Sequence, residues 1–371
     1  MADSPELTPK ERFERALRCE EVDRLPFWVK VFGASYRMLQ EPKYRDMPEP
    51  ELVELLDLDH MTGGPAPVRG RNEGVTIKAE RTNGERVTLI ETPDGTLRSV
   101  SSFDESSKSW HPTEFPIKTV DDLRAMRHRY AKTTYELNPE ALEKGKERLK
   151  EIGDRGVVTT GIGISPLMEI IQLLVGPENT YYLMTDHPEE MDELIQEMHQ
   201  DRLRFARVAA EHSPFDYIFS TENTSTTLLS PSMFEQYCWK HLKDYGDIIT
   251  GHGKTHVLHQ CGKLKALLPK VEELPASAIE AYTSPPVGDT TLADRVALCP
   301  STAIVGGTSA TLWMAPVESI CESIQQSLEE AGGMRGVVLT SAGVMPPVAS
   351  IPKIAKVREF AKGIRWSDFR N

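Results

Sequence analysis

The residues best suited to chemistry are His259 and Cys261, in the stretch VLHQCG. At the spacing of a β-strand, positions i and i+2 point to the same side. An imidazole and a thiolate side by side suit zinc, which takes nitrogen and sulfur ligands tetrahedrally. A carboxylate from another strand would add a third ligand and leave one position open for catalysis. Glu222, in YIFSTEN, and Glu280, in AIEAYTS, are the candidates. A His-x-Cys pair alone is thin ground. Cysteine often packs as a small apolar residue, and histidine often serves as a satisfied polar group. The strand-end position and the two strand-end glutamates are what argue for a site.

These residues need a frame that gathers strand ends. From about residue 117 the chain alternates amphipathic helices with short β-branched strands, the βαβ pattern of a parallel sheet. The strands read as VVTTGIGIS, YIFSTEN, THVLHQCGK, SAIEAYTS, TAIVGGTS and GVVLTSAG. Adding FWVKVF and the region near 57–63 gives roughly eight units, the number that closes a (β/α)₈ barrel. The fold class expected is therefore α/β, a (β/α)₈ (TIM) barrel forming one domain over residues 1–371. Catalytic groups in a barrel lie where strands end and βα loops begin. That rule adds Asn223 and Ser341 as candidate substrate contacts. Trp28, Tyr36 and Tyr282 are candidates for an aromatic pocket wall, with ordinary packing as the alternative for each.

Two segments stand outside the barrel pattern. The N-terminal extension carries Thr8 and Glu11 around Pro9, a capping box with proline at the first helical position. Residues 70–115 alternate apolar and polar side chains, with Asn83–Gly84 and Asp94–Gly95 as turn signals. They read as a small antiparallel hairpin insert.

The formal net charge of −13 argues against nucleic acid or an anionic membrane as the main partner. No apolar run reaches the ~18 residues that a membrane helix needs. The polar N-terminus does not read as a secretion signal. Five cysteines, an odd number in a long chain, fit a reducing cytoplasm better than a disulfide framework. Cys238 and Cys321 fall in helices, and Cys299 precedes a strand start, so packing is expected for all three. The remaining histidines read mostly as surface residues.

Several pieces of the chain resemble the uroporphyrinogen decarboxylase superfamily, which includes the cobalamin-dependent methyltransferases. They are LTPKERFERAL with DRLPFW, LSPSMFEQYCWKHLKDYGDII, VLHQCGK, IVGGTSATLW and VLTSAGVMPPVASIPKIAKVREFAKG. The resemblance implies a distorted (β/α)₈ barrel. The decarboxylases carry an R-Q-A-G-R segment after the first strand, and here VKVFGASYRML stands instead. The methyltransferases that deliver a methyl group to a thiol hold zinc with His-x-Cys and a later cysteine. His259 and Cys261 match the first two, while Val344 stands where the third is expected.

A Glu/His/Cys set donates less charge than a thiolate-rich one and leaves zinc a stronger Lewis acid. That suits polarising an ether oxygen, whose leaving group in an aryl methyl ether is a phenolate of reference pKa about 10. The resemblance thus implies a zinc enzyme that moves a methyl group from a methoxylated aromatic compound to the Co(I) corrinoid of a partner protein. The alternatives are a methylcobalamin:thiol methyltransferase of the coenzyme M type and a decarboxylase-like lyase. Catalysis is expected to rest on Glu222, His259 and Cys261, with Glu222 the favoured third zinc ligand and Glu280 the reserve. Barrels of this family often dimerise, so a homodimer is allowed.

Overall fold

The computed structural model describes residues 6–369. Thirteen strands follow one another along these residues. They are β1 (His60–Gly63), β2 (Val68–Asn72), β3 (Thr76–Thr82), β4 (Glu85–Thr92), β5 (Gly95–Asp104), β6 (Ser109–Glu114), β7 (Thr133–Leu137), β8 (Gly156–Gly163), β9 (Tyr217–Thr221), β10 (Thr255–His259), β11 (Ala278–Tyr282), β12 (Ala303–Thr308) and β13 (Val337–Ser341). Seven of them form one curled parallel sheet in the order β1-β8-β9-β10-β11-β12-β13. Helices lie between successive members, as parallel connections require. No helix among the described residues is long and apolar enough to cross a membrane.

FWVKVF does not form a regular strand. Its first residue, Phe27, makes a single parallel bridge to Leu339 of β13. Trp28 N–H donates to Leu339 O at 3.0 Å, and Asp59 N–H donates to Phe27 O at 2.9 Å, one residue before β1. This segment therefore occupies the eighth position, between the two edges of the sheet. A side chain secures it. The fully buried Asp59 carboxylate accepts from Phe27 N–H at 2.8 Å, from Arg12 at 2.5 Å and from Arg24 at 3.2 Å. Arg12 comes from the N-terminal helix Pro9–Leu17, whose capping box is formed by Thr8 and Glu11 as the sequence predicts. That helix is thus tied to the seam of the barrel.

The insert is larger than the expected hairpin. Strands β3 to β6 form a four-stranded antiparallel sheet. Asn83 and Gly84 both take positive φ in the first turn, as a two-residue hairpin demands. The second loop is Pro93–Asp94, with Gly95 opening the next strand. The third loop has no glycine signal. Asp104 organises it by accepting hydrogen bonds from the backbone of Ser106 and Ser107. Ile90 and Leu97 bury against Leu123 and Met126 of the helix Val120–Ala131. Each such side chain contributes about 1.5–3 kcal/mol when fully buried.

Candidate active site

Register brings the predicted residues together. His259 pairs with Thr221 of β9 on one side and with Glu280 of β11 on the other. Glu222 N–H donates to His259 O at 2.8 Å, and Gln260 N–H donates to Glu280 O at 2.9 Å. The three strand ends therefore lie side by side.

His259 Nδ1 is hydrogen-bonded to Glu280 Oε2. The Cys261 thiol lies within hydrogen-bonding reach of the same ring and donates to Asn223 Oδ1 at 3.2 Å. Burial alone would lower the imidazole pKa; the bonds to Cys261 and Glu280 outweigh it and push it up to about 9. Burial would raise Glu280, but its bond to His259 and the charge of Lys30 bring it below the usual carboxylate range. Lys30 Nζ sits 2.5 Å from Glu280 Oε1. Lys30 was invisible in the sequence as a site residue, because nothing local connects it to residue 280.

Glu222 is fully buried and faces Ser165. It accepts from Ser165 N–H at 2.9 Å and from Ser165 Oγ at 2.6 Å. Burial raises its pKa to about 7, against the Ser165 hydrogen bonds and the charges of Arg202 and His259. Ser165 follows β8, where the register shifts between Gly161 and Gly163. Two π-helical turns support this wall. One, Ile170–Leu174, holds Gln172, which accepts from Asn223 Nδ2 at 3.0 Å. The other, Glu235–Trp239, sets Cys238 against Ser165 Oγ at 3.9 Å. Such turns recur at functional sites. Asn223 and Ala281 both take positive φ, and alanine carries more strain there than asparagine.

The proposed substrate contacts divide. Trp28 is 7% exposed and its indole N–H has no protein partner among the described residues. Asn223 borders Cys261 directly. Tyr36 is fully buried, and its hydroxyl donates to Ala349 O at 2.7 Å. Tyr282 is fully buried and donates to Thr291 O at 2.9 Å, at the cap of the outer helix Leu292–Leu298. Strict alternation would put Tyr282 on the face of Glu280. The register shift between them adds one residue, Ala281, and re-aims the side chain of Tyr282. Ser341 Oγ turns back to Gly343 O at 3.2 Å. Four of the five candidates thus have their polar groups committed to other protein groups, since Asn223 also donates to Gln172 and accepts from Cys261.

Two of the expected zinc ligands fit a metal. Nitrogen and sulfur donors adjoin, and Glu280 holds Nδ1, so Nε2 is the ring nitrogen left for a metal. A carboxylate on the far ring nitrogen is the usual support of a metal-bound histidine. Glu280 thus has the place of a supporting partner rather than of the reserve ligand. The expected trio is not assembled: among the described residues no group of three His, Cys, Asp or Glu side chains is gathered for a metal ion. Glu222 is turned to Ser165 instead.

The other cysteines are free, with Cys238 and Cys299 buried and Cys321 half-buried. Several histidines expected at the surface are buried. His256 lies within β10 and bonds Ser220 Oγ at 2.8 Å, and His199 stacks on His241 at 4.0 Å between outer helices.

The chain is similar in structure to a methyltransferase from Methanosarcina mazei, with a TM-score of 0.59, 16% identity, and coverage of 96% of this chain and 98% of that one. A protein from Listeria monocytogenes assigned as a vitamin-B12 independent methionine synthase aligns over 62% of this chain and 69% of its own, at 13% identity and a TM-score of 0.40. At such identity the first likeness shows the fold. No curated protein sequence matches. The sequence model of uroporphyrinogen decarboxylase (URO-D) matches residues 113–364, well over half of the chain and all of the strand ends from β8 onward. The chain belongs to the uroporphyrinogen decarboxylase family.

Proposed function

We propose that this protein is a zinc-dependent methyltransferase that takes a methyl group from a methoxylated aromatic compound and passes it to the Co(I) corrinoid of a partner protein. One observation carries the reading: His259 is held at Nδ1 by a buried carboxylate while Cys261 adjoins its ring. A decarboxylase has no need of that pair, and the arginine-rich segment that would serve a decarboxylase is replaced by VKVFGASYRML. The fold likeness to the Methanosarcina mazei methyltransferase agrees with methyl transfer.

His259 and Cys261 would hold the zinc, and Glu222, the third ligand expected from the sequence, would have to leave Ser165 to join them. Zinc bound there would supply a Lewis acid for the ether oxygen and for the phenolate leaving group. The chain's own residues do the rest. Glu280 orients His259. Asn223 accepts a hydrogen bond from the Cys261 thiol and is itself held by Gln172. Trp28, whose ring centroid lies 5.7 Å from the Lys30 ammonium, would bring an aromatic side chain to an aromatic substrate. The loops and short helices after the strands expose Leu39, Leu173, Leu228, Met314, Val344 and Val348. Apolar side chains spread around one rim suit a protein that docks over the mouth.

Metal analysis of the purified protein is expected to find about one zinc per chain, and His259→Ala to lose it. Mixed with a reduced corrinoid protein and a panel of methoxybenzoates, the wild-type enzyme is expected to form methyl–cobalt, read by absorbance. Full activity in metal-free protein would sink the proposal. Demethylation of methylcobalamin on adding a thiol, with no reaction of methoxybenzoates, would establish the thiol methyltransferase instead.

A further inference from the structure

Lys30 reaches the site from a segment about 250 residues away in sequence from its partner Glu280. Its backbone is anchored where Trp28 bonds β13 and where Phe27 is clasped by Asp59. Its ammonium lies 5.7 Å from the centroid of the Trp28 ring and 2.5 Å from Glu280 Oε1. The Glu280 side chain is only 4% exposed. Its other oxygen bonds His259 Nδ1. Lys30, Glu280 and His259 thus form one continuous chain of contacts ending at the ring beside Cys261.

A carboxylate has two equivalent oxygens and rotates about its last bond. Buried with one partner, it can turn either oxygen, or neither, to the imidazole. Held at both ends, it has one orientation. Charge matters as well, since a buried carboxylate without a cation is costly to keep ionised. Only the ionised form accepts from Nδ1–H without competing as a donor.

We propose that Lys30 is a positioning residue. By gripping Glu280 Oε1 it fixes the carboxylate that holds His259 by Nδ1–H, and so keeps Nε2 as the nitrogen presented to a metal. This rests on the reading of His259 as a metal ligand, but the arrangement itself is measurable without metal. It also gives the closing segment of the barrel a part in the chemistry, for the seam that completes the ring delivers the cation.

The test uses the full-length protein in wild-type form and with Lys30→Met, Lys30→Arg, Glu280→Gln and the Lys30→Met/Glu280→Gln pair. Two readouts are taken. The first is the far-downfield ¹H resonance of the His259 Nδ1–H in metal-free, ¹⁵N-histidine-labelled protein, assigned by its disappearance in His259→Asn. The second is zinc affinity, by competition with a chromophoric chelator. The resonance is expected in the wild type and in Lys30→Arg, and to be lost or moved upfield in Lys30→Met. Zinc affinity is expected to fall by about 10–100-fold in Lys30→Met, the usual effect of losing a supporting contact, and to recover in Lys30→Arg. In the Glu280→Gln background the Lys30 change is expected to add nothing, because its effect passes through that carboxylate. An unchanged resonance in Lys30→Met overturns the proposal. So does a loss of affinity that is as large in the Glu280→Gln background, which would mark a general structural effect. If the wild type binds no zinc, the zinc reading fails, and the resonance alone still decides the role of Lys30.

Discussion

Glu222→Gln is expected to stabilise the protein at neutral and alkaline pH while leaving it unchanged at acid pH. Glu222 is fully buried, and burial raises its pKa from 4.5 to about 7. Below pH 4.5 both folded and unfolded chains carry the proton, and no pH-dependent term arises. Between 4.5 and about 7 the unfolded chain releases the proton and the folded chain keeps it. Stability therefore falls as pH rises through this window, and the loss is complete above it. At about 1.4 kcal/mol per unit the difference amounts to about 3 kcal/mol. Glutamine has the same shape and can still accept from Ser165 N–H, while the Ser165 hydroxyl can turn to accept from the new amide. It therefore removes the slope without opening a cavity. Urea unfolding of metal-free wild type and variant at intervals from about pH 5 to 8.5 would measure it. The difference should grow from near zero to about 3 kcal/mol, which for a chain of this length is a shift of about 4 °C in melting temperature. A difference that stays constant across the series would refute the argument that a buried charge is the cause. Stability gained by removing a site carboxylate is the usual mark of a group kept for function.

Three further outcomes are expected. Asp59→Ala should cost about 3–5 kcal/mol, because it strands Arg24 and part of the Arg12 fork in a buried seam and frees Phe27 N–H; chemical denaturation would show it. Ser165→Ala removes one of the two hydrogen bonds that restrain the Glu222 pKa, so the window of falling stability should extend to higher pH in the same urea series. Gly306→Ala would drive a methyl group into the backbone and Cβ of Tyr282 across the β11–β12 pair. Overpacking at that point should lower stability by roughly 1–3 kcal/mol, seen as an earlier thermal transition.

Local rules were enough for much of this molecule. A capping box and a proline marked the start of the helix Pro9–Leu17, because a helix start is decided by which residues satisfy its own first N–H groups. Period-two alternation put His259 and Cys261 on one side of a strand end, and the barrel rule put Glu222 and Glu280 at the same mouth. Which groups those side chains then meet was not local. The shared register of β10 and β11 set Glu280 against His259, where it supports the ring. A register shift at Ala281 turned Tyr282 outward, and another in β8 preceded the Ser165 that engages Glu222. A single added residue reverses every facing beyond it, and no composition signal marks where a strand pairs irregularly. Lys30 joins the site only because the ring closes, bringing residue 30 beside residue 280. The sequence by itself thus determined the donor types and their common strand end, since these follow from spacing. Tertiary structure alone decided their partners and orientation, since these follow from strand pairing and barrel closure between residues far apart in the chain.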